Sequence, residues 1–171
     1  MAEALLARRL AGLGSAALVR SAGLLGDGAP PHPEVITVMS SYGLDVAGHR
    51  SRRVTADDLD RADLTIAMAR EHLRHAVVAV PAVWPRAFTF REFVRRGGMI
   101  GQRASSESLP EWLGRVHEGR QRTALLGDCP DDDVADPIGG PPHGYTETAA
   151  TLSQLVNQLV DLCWEQPGSA E

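Results

Sequence analysis

The sequence predicts an α/β fold: a short parallel sheet covered by helices on both faces. Apolar runs at 18–22, 64–68 and 87–90 alternate with helix-periodic segments at 33–42 and 71–80 and from Glu92 onward, the order of β-α units. A length of 171 residues and 18.3 kDa allows one domain with a real core and is too short for two ordinary ones, so residues 1–165 are expected to form a single domain and 166–171 a disordered tail. A hydrophobic share of 43% against 23% charge is that of an ordinary soluble globular chain, which is one reason to expect such a layered core.

The elements follow in order. Residues 2–12 read as a helix with Leu5, Leu6 and Leu10 on its apolar stripe, and Gly12 and Gly14 close it. Leu18 to Ala22 is expected as a short buried strand. The Gly/Pro-rich turn 26–33 leads into a helix from Pro33 to Tyr42, where Val35, Val38, Met39 and Tyr42 recur at helical spacing. After the arginine-rich loop 43–53, Thr55 caps a short helix with Asp57 and Asp58 in its first turn, where the helix dipole favours carboxylates. A strand over 64–68 and a helix over 71–80 come next, with Pro81 ending the helix, and a last strand at 87–90 runs into a helix. Residues 97–108 read as a Gly/Ser-rich excursion, and Ser108 with Glu111 makes a capping pair for a helix to about Arg122. Residues 127–144 form a long acidic, proline-rich loop. Tyr145, Ala149, Leu152, Val156, Leu159 and Cys163 then mark one face of a long closing helix.

Composition excludes several classes of function. A net charge of −5 and a pI near 5.7 argue against a nucleic-acid partner, and no apolar stretch approaches membrane-spanning length. With no signal peptide visible, a cytoplasmic location is expected. All 17 basic residues are arginine, so neither a Walker phosphate loop nor Schiff-base chemistry is available, and no dinucleotide-type glycine motif occurs. No cofactor is expected. His72 and His75 stand three apart with no third ligand at recognisable spacing, which reads as a solvated helix face and predicts no metal site. The residue six beyond Cys129 is Ala135 and six beyond Cys163 is Ser169, so neither cysteine opens a Cys-x5-Arg pattern.

Four segments carry a resemblance: the opening helix Met1-Ala2-Glu3-Ala4-Leu5-Leu6, then Ser21-Ala22-Gly23, His49-Arg50-Ser51-Arg52 and Asp136-Pro137-Ile138-Gly139-Gly140. In this order they resemble the low-molecular-weight protein-tyrosine phosphatases. The resemblance implies a three-layer α/β/α fold with strand order 2-1-3-4. In that family a strand and a phosphate loop of pattern Cys-x5-Arg-Ser/Thr-Pro precede the first helix, and Met1 falls on the residue after that proline. The first strand and the loop, with its nucleophilic cysteine and phosphate-gripping arginine, are missing here, so the expectation is an amino-terminally incomplete domain from a clipped gene model, inactive as it stands.

What the resemblance implies for the site is specific. Asp136 is the acid that protonates the leaving phenol. Ser21 and His49 support the phosphate loop from behind, and Arg50, Arg52 and Ile138 line the substrate rim. Ile138 and Gly139 stand where the family usually carries tyrosines, which leaves the preference among aryl phosphates, other phosphomonoesters and arsenate open. On spacing alone Asp136 reads as a turn in a solvated acidic loop, and His49 as a surface histidine among arginines. The implied partner is a phosphotyrosine protein or a small aryl phosphate. The alternatives are a catalytically dead phosphatase-like binding module and, ranked lower, an arsenate reductase of similar fold.

Overall fold

The computed structural model describes residues 1–127 and 129–164, so the expected tail at 166–171 lies outside the described residues. In chain order the elements are α1 (Ala2–Ala11), α2 (Pro33–Ser41), α3 (Ala56–Arg61), β1 (Thr65–Ala67), α4 (Arg70–Ala79), β2 (Ala87–Thr89), α5 (Phe90–Ile100), α6 (Leu109–His117) and α7 (Pro142–Cys163). Short 3-10 turns occupy Pro81–Arg86, Arg122–Leu125 and Pro130–Asp132. The class is α/β, with a short parallel sheet among helices. The described residues divide into two compact units, 1–54 with 135–160, and 55–134 with 161–164.

The first unit is built on α1, α2 and the body of α7. Leu5 and Leu10 are buried on α1 and Leu6 is only partly covered, while Met39 is fully buried on α2. Pro33 stands in the first turn of α2, where its missing N–H costs nothing, and His32 caps that helix by accepting the Glu34 amide on its Nδ1 at 3.3 Å. The ring of His32 also stacks on Tyr145 of α7, with centroids 5.1 Å apart. The α7 face expected from periodicity is buried throughout, from Tyr145, Ala149, Leu152 and Val156 to Leu159 and Cys163.

The expected strand at 18–22 is not formed. Leu18 is 87% exposed, and the only pairing nearby is a single parallel bridge between Gly23 and Arg53. An extended segment becomes a strand by sharing a ladder, and here the ladder bonds fall further along. Gly23 N–H donates to Arg52 O (2.9 Å), Val54 N–H to Gly23 O (2.9 Å), Gly28 N–H to Ser51 O (2.8 Å) and Ser51 N–H to Ala29 O (2.9 Å). The arginine-rich segment is therefore laced to the 23–29 turn.

In the second unit β1 and β2 lie parallel in the register Thr65–Ala87, Ile66–Phe88 and Ala67–Thr89, joined through α4 as a β-α-β unit. Thr55 and Asp58 form a reciprocal capping box on α3, and Ser108 and Glu111 form another on α6. The core is aromatic: Phe88 meets Phe93 edge-on at 5.4 Å, and Phe93 meets Trp112 at 5.8 Å.

Two helix ends differ from expectation. α5 continues through Gly97 and Gly98 to Ile100, because Gly97 is a contact point: a Cβ there would lie 2.8 Å from Leu162 Cδ1 and 3.2 Å from the Trp112 ring. α6 stops at His117 rather than near Arg122, since Gly119 takes φ +76°, a conformation suited to glycine, and Arg120 turns inward.

The acidic run is not uniformly solvated either. Asp132 is 2% exposed, with its carboxylate bonded to Arg70 (2.7 Å) and Arg95 (2.6 Å). Burial pushes its carboxyl up, but the hydrogen bonds and charges of Arg95 and Arg70 outweigh that and hold it below the usual carboxylate range. Asp133 accepts the Arg70 amide at 2.7 Å, and Val134 N–H donates to Met68 O at 2.7 Å.

Candidate functional site

Two of the expected site residues, Ser21 and His49, meet at the first turn of α1. Glu3 stands there, where the positive end of the helix dipole favours a carboxylate. Ser21 Oγ donates to Glu3 Oε2, and His49 Nδ1 lies 3.6 Å from the same oxygen. Side chains 18 and 46 positions along the chain from Glu3 thus meet one carboxylate oxygen at a helix amino terminus. Ser21 is half-buried, and the His49 side chain is 43% exposed. Sequence reasoning missed Glu3 as the organiser of this cluster. An acidic residue in the first helical turn is so common that only the partners could have singled it out.

Asp136 sits in a separate turn. Its Oδ1 accepts the Ile138 N–H at 3.0 Å, and Gly140 N–H donates to Pro137 O at 3.0 Å. Gly139 adopts φ +79° between them, which a side chain at the third turn position would resist. Thr148 on α7 donates its hydroxyl to Ala135 O at 3.1 Å and ties the stem of the loop to the helix. Asp136 is exposed, so its carboxylate presents a free oxygen to solvent beside the one that caps its own turn.

The structure brings Ser21 and His49 together and holds Asp136 in its own Asx turn. Of the rim residues, Arg50 donates Nη1 to Ala47 O (3.0 Å) and His49 O (2.7 Å), folding back on its own loop. Arg52 is half-buried, and Ile138 is 73% exposed. The two thiols are free. Burial pushes the Cys163 thiol up to about 12, so at neutral pH it is a core group and no nucleophile. Among the described residues no three His, Cys, Asp or Glu side chains are grouped to hold a metal ion, and no helix is long and apolar enough to cross a membrane. His72 and His75 lie exposed on α4.

A measurable consequence follows for the Glu3 cluster. Glu3→Ala removes the acceptor of the Ser21 hydroxyl, the carboxylate beside His49 and the dipole-complementing charge. It is expected to lower stability by about 1–2 kcal/mol, read as a shift in the urea midpoint at unchanged slope.

Comparison with known proteins places the chain among relatives of one family. A family model described as low molecular weight phosphotyrosine protein phosphatase matches residues 1–100. EpsP of Ralstonia solanacearum, described as a probable low molecular weight protein-tyrosine-phosphatase, is 32% identical over 93 residues, covering 54% of this chain and 61% of its own length. The low molecular weight protein-tyrosine-phosphatase Etp of Escherichia coli K12 is 31% identical over 97 residues, covering 55% of this chain and 62% of Etp. The chain thus spans about three-fifths of the length of the curated relatives it matches. Among solved structures, the low molecular weight protein tyrosine phosphatase from T. tengcongensis superposes with a TM-score of 0.68 at 30% identity, over 94% of this chain and 87% of that one.

Proposed function

Because this chain belongs to the low molecular weight phosphotyrosine protein phosphatase family, we propose that it is the scaffold and acid-bearing part of a phosphatase that hydrolyses phosphotyrosine through a cysteinyl-phosphate intermediate. In this reading a thiolate attacks phosphorus and the aryl oxygen departs with a proton from Asp136. Water then displaces phosphate from sulfur, giving a proton back to the Asp136 carboxylate. Neither the nucleophile nor the arginine that grips the phosphoryl oxygens is among these 171 residues, since neither Cys129 nor Cys163 opens a Cys-x5-Arg pattern. In this reading these 171 residues by themselves are expected to be inactive.

The observation that carries the reading is the meeting of Ser21 and His49 on Glu3 at the amino end of α1. Helix amino termini receive phosphate groups, and a hydroxyl and an imidazole fixed beside one suit the support of a phosphate loop. Asp136 contributes an exposed carboxylate on a loop stiffened by Pro137. The substrate is a phosphotyrosine protein or a small aryl phosphate, and two free thiols suit a reducing cytoplasm. That neither cysteine of these residues opens a Cys-x5-Arg pattern also suits a second reading, a phosphatase-like module that binds a phosphorylated partner without turnover.

Purified protein beginning at Met1 is expected to show no turnover of para-nitrophenyl phosphate. Turnover that survives Cys129→Ser and Cys163→Ser would overturn the proposed mechanism. The codons ahead of Met1 separate the two readings: an in-frame Cys-x5-Arg-Ser-Pro supports the enzyme, and a stop codon directly upstream supports the binding module.

A further inference from the structure

The second unit contains a titratable cluster that the proposed chemistry does not use. The Arg120 side chain is 2% exposed, and its guanidinium lies 3.8 Å from the Trp84 ring centroid and 4.0 Å from that of Phe88. It makes a two-pronged bond to Glu92, from Nε (2.8 Å) and Nη2 (2.9 Å). It also donates to Trp84 O (3.0 Å) and Ala87 O (2.9 Å). Its remaining contact is with His117 Nδ1, 3.2 Å from Nη1. One guanidinium thus joins the 3-10 turn at 81–86, β2, α5 and the end of α6. The adjoining cavity of about 480 Å³ is lined in part by Arg120, Glu92 and Trp84. Every nitrogen of Arg120 is committed to a protein acceptor, so the cavity offers a ligand no free donor from that side chain.

The contact with His117 has only one chemical solution. A guanidinium has donors and no acceptor, so Nδ1 must supply its lone pair, which requires a neutral imidazole. We propose that His117 and Arg120 form an acid-sensitive latch, in which protonation of His117 breaks the contact and loosens the joint between the 81–86 turn, β2, α5 and α6.

The surroundings offer an imidazolium little relief. Arg120 faces His117 from the turn after α6, Arg96 and Glu92 face it from α5, and Arg122 from the following 3-10 turn. Three of these four are cations, and both oxygens of the one carboxylate are already bonded to Arg120. Trp84 meets the imidazole edge-on, with centroids 5.5 Å apart. Burial, and then the charges of Arg120 and Arg96, hold the His117 pKa below the ordinary histidine value.

The sign follows from linkage. A basic group whose pKa is lower in the folded state binds fewer protons there than in the unfolded chain. Its contribution is complete above the ordinary value, near pH 6.5, and is lost as pH falls through the folded value.

The test uses the full 171-residue chain and His117→Asn, whose Oδ1 stands where Nδ1 does, can accept the same bond and does not titrate. Urea unfolding from pH 7.5 to 4.5 is expected to show the wild-type unfolding constant rising about tenfold more than that of the variant. Carboxylates titrate in both proteins and cancel in the comparison. Equal pH dependence of the two proteins would overturn the latch. An independent measurement holds even if the variant fails to fold: in a ring-proton NMR titration of the wild type, His117 is expected to titrate at lower pH than an ordinary histidine. Titration at or above the ordinary value would equally overturn it. Neither outcome depends on whether the protein is a phosphatase.

Discussion

Glu92→Ala is expected to lower the unfolding free energy by about 3–5 kcal/mol, the cost of leaving a buried charge without its partner. Against a typical total of about 5–15 kcal/mol this is a large share, and it should appear in urea unfolding at pH 7 as a midpoint shift with little change in slope. The reason is the asymmetry of the pair: the Glu92 side chain is 16% exposed and reaches water, whereas that of Arg120 is 2% exposed and does not. Burial alone pushes the Arg120 pKa down, and the hydrogen bond and charge of Glu92 oppose that shift. Losing the proton offers no escape, because an arginine remains charged at neutral pH. The guanidinium would keep its two carbonyl acceptors and its place between Trp84 and Phe88, but would have no counter-charge. Glu92→Gln retains one acceptor oxygen and should cost less than the alanine variant. A loss below about 1 kcal/mol for Glu92→Ala would mean that the pair behaves as a solvated surface ion pair.

Arg120 also shows where sequence reading reaches its limit. Reading α6 on to about Arg122 placed this arginine in the last turn of a helix, because Arg and Gln continue a helix as readily as they end one. What removes Arg120 from the helix is Gly119 at positive φ, together with acceptors 28 to 36 positions away. Asp132 raised the same difficulty: three adjacent aspartates read as a solvated run, and only Arg70 and Arg95 reveal that the middle one is buried. Long-range ion pairs have no period.

Features set by local rules were legible. The buried face of α7, the caps at Thr55 and Ser108, the proline at the start of α2 and the parallel strands near 65 and 88 all follow from spacing or from a side chain reaching its own backbone. The missing strand at 18–22 was a mistake of the opposite kind. Apolar composition suggested burial, but a strand exists only where a neighbour shares its hydrogen bonds, and Leu18 is exposed. Within the candidate site, family motifs pointed to Ser21 and His49. Neither motif nor period pointed to Glu3, on which both side chains converge.

The remaining large effect concerns Asp136 and rests on the proposed phosphatase reading. In a protein extended ahead of Met1 by a Cys-x5-Arg-Ser-Pro phosphate loop, Asp136→Asn is expected to cut kcat for aryl phosphates with poor leaving groups by about 10²-fold or more. For good leaving groups the loss should be smaller, because a phenol of low pKa departs without a proton. The structure makes this substitution a clean test. The Asp136 oxygen that accepts the Ile138 N–H has a counterpart in the asparagine amide, so the Asx turn and the Pro137–Gly140 turn behind it can persist while the transferable proton is lost. Asp136→Ala would remove the turn cap as well and should lower activity across the whole series. A plot of log kcat against leaving-group pKa should therefore steepen for asparagine relative to wild type. A uniform loss with unchanged slope would instead assign Asp136 to holding the loop, and the proton would have to come from another group.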